Sequence, residues 1–150
     1  MMYPLIAQKR SYWCVPACLE SILKAESFGV SQEEIANNLG IKENGFNFNR
    51  ARLTNFTGSY GLYLGFESPF LGAIEDDLIL KQINKKHILI AGKFRGKKHC
   101  ILVLDYNYPS DFAFVYDPSL KRPFQISIPK IKEAINARED LRNGYYLISS

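Results

Sequence analysis

The chain has 150 residues, 47% of them hydrophobic and 23% charged, with a formal net charge of +4. That length suits a single domain over residues 1–150, burying roughly 70% of the unfolded chain's surface, and leaves no room for a second core. The positive charge is scattered, with Lys85-Lys86 and Lys97-Lys98 the densest pairs, so it argues against nucleic acid and pulls only weakly toward anionic partners.

In chain order, residues 1–10 lack the charged start and apolar run of a secretory signal. Gln8 then precedes Trp13-Cys14-Val15-Pro16, and from Pro16 onward Cys18, Leu19, Ile22 and Leu23 recur at helical spacing as a buried stripe. Cys14 is thereby expected at a helix N-terminus, where unpaired N–H groups and the positive end of the dipole tilt a thiol toward thiolate. Ser31 and Glu34 form a capping box for a helix that stops at Gly40. Asn44-Gly45 marks a turn, and residues 49–56 predict another helix with Leu53 and Phe56 inward.

From Tyr60 to Phe66 the chain is short, aromatic and glycine-punctuated, as a strand or a substrate-facing loop would be. Residues 75–83 predict a helix with acids in its first turn and Leu78, Ile79 and Ile83 on its buried side. Strands follow at 87–91, 100–104, 112–116 and 124–126, then a helix at 129–137 and a last strand at 145–148. Helices first and an antiparallel sheet second is an α+β division. No segment approaches the roughly 20 apolar residues of a membrane span. Three cysteines without a disulfide framework suit a reducing compartment, so a cytoplasmic location is expected.

The candidate chemistry lies in three places. Cys14 opens a helix, His99 opens an apolar strand, and Asp117 closes another, held by Pro118. A thiolate nucleophile needs an imidazole to carry its proton, and the imidazole needs a carboxylate to fix its tautomer. His87 competes with His99, but it heads a continuous apolar run where a structural histidine is the commoner case. Asp105 and Asp111 flank a turn and read as solvated. Cys100 follows His99 directly, so strand alternation sends it to the core when His99 faces the site. Cys18, four residues after Cys14, reads first as core packing, with redox modulation of Cys14 or a metal site as lesser readings. A zinc site from Cys14, Cys18, His99 and Asp117 is the weaker case, because Cys-x3-Cys on a continuous helix is unlike the turn-based pairs of zinc modules.

Gln8, the run from Cys14 to Leu19, His99 at its strand start and Asp117-Pro118 together resemble the C39 peptidase family. Its members are papain-like cysteine peptidases best known as exporter domains that cut leader peptides after a double glycine. The resemblance implies a papain-like α+β fold, its helical first half carrying the nucleophile at a helix N-terminus packed on the antiparallel sheet. It implies a nucleophilic Cys14, a basic His99, an orienting Asp117 and a Gln8 that helps form the oxyanion hole. It also implies a peptide or protein substrate, association with a membrane transporter, and no cofactor or metal. An amide donor six residues before the nucleophile complements the Cys14 N–H where negative charge develops. Trp13 and Val15 flank the nucleophile where the family usually has Asp and Gly. An acyltransferase or deamidase needs no different triad, and a catalytically silent peptide-binding domain of this fold is the third reading. Aromatics at 60–70 and Trp13 are expected either to wall a narrow, glycine-selective cleft or simply to pack in the core.

Overall fold

The computed structural model describes residues 3–42, 50–67, 74–84, 86–106, 109–136 and 144–149. Three helices come first: α1 (Cys14–Ala25), α2 (Gln32–Leu39) and α3 (Arg50–Gly58). Strand β1 (Tyr63–Glu67) and helix α4 (Ile74–Asn84) follow, then β2 (His87–Phe94), β3 (Lys97–Tyr106), β4 (Phe112–Asp117), β5 (Arg122–Ser127), α5 (Ile128–Asn136) and β6 (Gly144–Ser149). The turn expected at Asn44-Gly45 and the side chain of Ile83 lie outside the described residues.

Local chemistry accounts for the helix ends. The Ser31 hydroxyl accepts from the Glu34 N–H at 3.1 Å, and Gly40 terminates α2 at φ 68°. The left-handed conformation there is one that glycine adopts without strain. In α1, Trp13 is the N-cap and makes no side-chain cap bond among the described residues, and Pro16 in the first turn has no N–H to satisfy.

All six strands form one antiparallel sheet in the order β1-β6-β2-β3-β4-β5. β6 lies between β1 and β2, so the sheet order departs from the chain order at this edge. β2 and β3 lie at its centre and alternate between two cores. Leu89, Ala91, Cys100 and Leu102 face α1, α2 and α3, whereas Ile88, Ile90, Ile101 and Val103 face α4 and α5. Helices therefore cover both faces, which refines the expected helices-then-sheet division: α4 and α5 form a second layer on the far side. Continuous burial of residues 88–91 and 100–103 is what a strand covered on both faces requires. At Gly92 a Cβ would stand 2.8 Å from the Ala134 carbonyl, so the missing side chain lets α5 close onto β2 directly opposite His99 in register.

β2 and β3 are joined by the two-residue turn Arg95-Gly96, with φ 52° and 77°. Positive φ at both central residues is the signature of a type I′ hairpin, normally Asn-Gly; here an arginine accepts the less favourable conformation.

Candidate active site

The expected site residues converge at the end of the sheet where β3 begins and β4 ends. His99 donates or shares its Nε2 proton with Asp117 Oδ1 at 2.5 Å, its side chain 12% exposed and that of Asp117 wholly buried. The same oxygen accepts the Ser119 N–H at 2.9 Å and the Ser119 hydroxyl at 2.6 Å. Oδ2 accepts from Arg95 Nη2 at 2.5 Å. Burial pushes the Asp117 carboxyl up, but the bonds from His99, Ser119 and Arg95 outweigh it and hold the acid well below the usual carboxylate range. Engagement of Nε2 leaves Nδ1 as the His99 nitrogen available to a nucleophile.

Cys14 is the first residue of α1, buried, and packed against β3. Its sulfur lies within reach of the backbone N–H groups of Cys100, next to His99, and of Val15. Burial nevertheless drives the thiol well above its ordinary value; Cys100 and Asp117 raise it further, and the two N–H groups recover only part. This corrects the expectation of a thiolate made by the helix terminus: two amide donors do not compensate for the loss of water. Cys18 and Cys100 lie in the same core cluster as Cys14, and Cys18 Sγ donates to the Cys100 carbonyl at 3.9 Å. Cys100 is thus a core residue as alternation required, and the core it joins is the one that holds Cys14.

Gln8 is tied to this region by its backbone, its N–H donating to the Pro118 carbonyl at 3.2 Å. Its side-chain amide donates to the Arg10 and Ser11 carbonyls at 3.0 Å each, while Oε1 is buried with no hydrogen-bond partner among the described residues. In this state the amide shapes the loop before α1, and serving an oxyanion requires exchanging those bonds.

The other candidates resolve by their contacts. His87 is fully buried, with Nδ1 against the Tyr3 hydroxyl and Nε2 against Glu26 Oε1, both at 2.6 Å, so its ring is structural. Asp105 and Asp111 are exposed. Of the aromatics at 60–70, Tyr60 packs on Phe28 and Phe56 and Phe66 on Tyr146 at the core margin, Tyr63 is exposed, and Phe70 lies outside the described residues. Trp13 is buried with Arg10 stacked on it at 5.3 Å.

Three supporting residues escaped the sequence reading. Arg95 and Ser119 secure Asp117, and fully buried Gln32 brackets Gln8, donating to the Ala7 carbonyl at 2.8 Å and accepting the Lys9 N–H at 3.0 Å. Only Ser119 had a local signal, since Asp-Pro-Ser favours a turn closed by side-chain bonds. Arg95 and Gln32 act across the fold, on partners 22 to 25 residues away.

A groove of about 650 Å³ opens beside His99, lined by Gln8, His99, Pro118, Ser119 and the hairpin flank. Cys14 opens the helix that packs on β3, the strand that carries His99, and His99 pairs with Asp117 at the end of β4. The chain belongs to the Peptidase_C39-like family, which it matches over residues 1–134. No curated protein sequence matches it significantly. Among solved structures it resembles the peptidase domain of Streptococcus ComA, a bi-functional ABC transporter involved in quorum sensing, with a TM-score of 0.73 at 13% identity, covering 99% of this chain and 98% of that one. It also resembles a double glycine motif protease from an AMS/PCAT transporter solved with its leader peptide, with a TM-score of 0.65 at 16% identity, covering 99% and 90%. At these identities the likeness establishes the shared fold. Among the described residues, no helix is long and apolar enough to cross a membrane.

Proposed function

We propose that the protein is a thiol peptidase in which Cys14 attacks a peptide carbonyl, His99 carries the proton and Asp117 orients the imidazole. The observation that carries this reading is the His99–Asp117 pair, with Nε2 held by a buried, anionic carboxylate and Nδ1 left for sulfur. Transfer of the Cys14 proton to His99 creates the thiolate, which forms a tetrahedral adduct with the carbonyl carbon. The Cys14 N–H and a reoriented Gln8 amide hold the oxyanion. His99 then protonates the leaving amine, and a water deprotonated by His99 hydrolyses the thioester. No cofactor enters this scheme.

The finer reading is leader-peptide processing after small residues, alongside a membrane transporter and on its cytoplasmic side. It is supported by the family and by what the two similar domains do in their own transporters. One observation favours a second reading, a peptide-binding domain without chemistry: the Gln8 amide is spent on loop carbonyls. An acyltransferase or deamidase would use the same residues. Incubation with a peptide library analysed by mass separates the readings. Shortened peptides support the peptidase, a mass shift of one peptide the transferase or deamidase, and retention without change the binding domain. Peptides differing only in Gly-Gly or Leu-Leu before the cut test the leader reading, which fails if the Leu-Leu peptide is cut as well or better.

A further inference from the structure

The groove beside His99 carries a charge pattern that the triad does not need. Its lining includes Lys9, Arg10, Arg95, Lys97, Lys98 and Lys121, and no acidic residue among the described ones. Asp117 behind the wall answers Arg95, and Glu33 stands 3.6 Å from Lys9. The Arg10 guanidinium stacks on Trp13. Lys97 and Lys121 are exposed and line the groove, and neither has an acidic partner among the described residues. The excess is large for a chain whose net charge is only +4. Concave walls of one sign concentrate the field and attract the opposite charge.

The groove's position says which part of a peptide would meet that charge. His99 lines it together with the 8–11 loop, the hairpin flank and the 118–121 turn, and no described residue of α1 does, so it lies on the His99 side of the site and not over Cys14. The group that protonates the leaving amine must face the leaving portion of the substrate. We infer that this groove is a subsite for acidic residues, aspartate and glutamate, immediately C-terminal to the bond that is cut. The side assignment rests on the reading of His99 as the proton donor; the acidic preference does not.

Binding can be measured without turnover. The full-length Cys14→Ala variant is titrated into two labelled peptides, Gly-Gly followed by Asp-Glu-Asp-Glu and Gly-Gly followed by Asn-Gln-Asn-Gln, with fluorescence anisotropy as the readout. The acidic peptide should bind about tenfold tighter at about 50 mM salt, and most of that advantage should vanish at about 500 mM. Adding Lys97→Glu and Lys121→Glu, both exposed and away from the core, should abolish or invert the preference while circular dichroism stays unchanged. Equal binding of the two peptides, or a preference that survives the double reversal, overturns the subsite. Moving the acidic run in front of Gly-Gly should lose the gain, and a gain there overturns the side assignment. Charge-dependent binding with no cleavage by the unmutated chain supports the groove while removing the peptidase reading.

Discussion

Asp117 and Cys14 are both buried, yet their surroundings act on them in opposite directions. Asp117 receives His99, Arg95 and two groups of Ser119, and stays ionised despite losing water. Cys14 receives two backbone N–H groups and is held as a neutral thiol. In the proposed triad the orienting half is therefore assembled in advance, whereas the proposed nucleophile depends on giving its proton to the imidazole. Burial alone does not decide an ionisation state; the number and charge of the donors around the buried group do.

Breaking the prepared half should have the largest effect. Asp117→Asn keeps the shape but removes the charge that fixes the imidazole, and turnover should fall about 10³–10⁴-fold in a peptide-cleavage assay. The same substitution bears on stability. The folded value of Asp117 lies below its unfolded one, so its contribution is complete above the unfolded value of about 4 and is lost as pH falls further. Unfolding followed from about pH 6 down to about pH 2 should therefore lose less stability in Asp117→Asn than in the unmutated chain.

Gln8→Ala should lower turnover by ~10²–10³, the loss usual for one oxyanion-hole donor, while alkylation of Cys14 changes little. Equal damage to both would assign Gln8 to the loop, in keeping with its bonds to Arg10 and Ser11. Gln32→Ala sharpens the distinction. It leaves the Ala7 carbonyl and the Lys9 N–H unpaired, and should cost about 1–3 kcal/mol in denaturant unfolding.

Arg95→Gly tests the outer contact of the same half. Its side chain is half exposed, so the ion pair is worth little to stability, and glycine relieves the positive φ. Stability should stay within about 1 kcal/mol. The Asp117 carboxyl should titrate higher, and the acid limb of the pH–rate profile should move up with a loss of rate within about tenfold. An unchanged acid limb would mean that His99 and Ser119 suffice.

The smallest effect belongs to the thiols. Burial raises Cys14 and Cys18, and the Cys18 contact together with burial raises Cys100, so the folded chain holds these thiol protons more tightly than the unfolded one. Stability should therefore decline above about pH 8.5, and Cys18→Ala should flatten that slope by about 1.4 kcal/mol per pH unit at most.

Periodicity and turn chemistry made most of the fold legible. The stripe Cys18, Leu19, Ile22, Leu23 gave α1, the Ser31 box gave α2, and alternation along 87–104 gave the two central strands. The seating of β6 between β1 and β2 was not legible, because strand order depends on long-range pairing that leaves no local pattern. At the site, the His99–Asp117 contact could be read from strand ends. What escaped was set by tertiary surroundings: Arg95 reaching back from its hairpin, Gln32 bracketing Gln8, and the burial that turns an expected thiolate into a thiol.

The central claim is that Cys14 becomes nucleophilic only by passing its proton to His99, and the rate of Cys14 alkylation against pH tests it most directly. Iodoacetamide labelling mapped by mass spectrometry should modify Cys14 ahead of Cys18 and Cys100 at about pH 6, where an isolated thiol is inert. In His99→Ala the reaction should disappear there and return only at alkaline pH, whereas His87→Ala should leave it unchanged. First labelling at Cys18 or Cys100, or one alkaline profile shared by the unmutated chain and His99→Ala, would contradict the account.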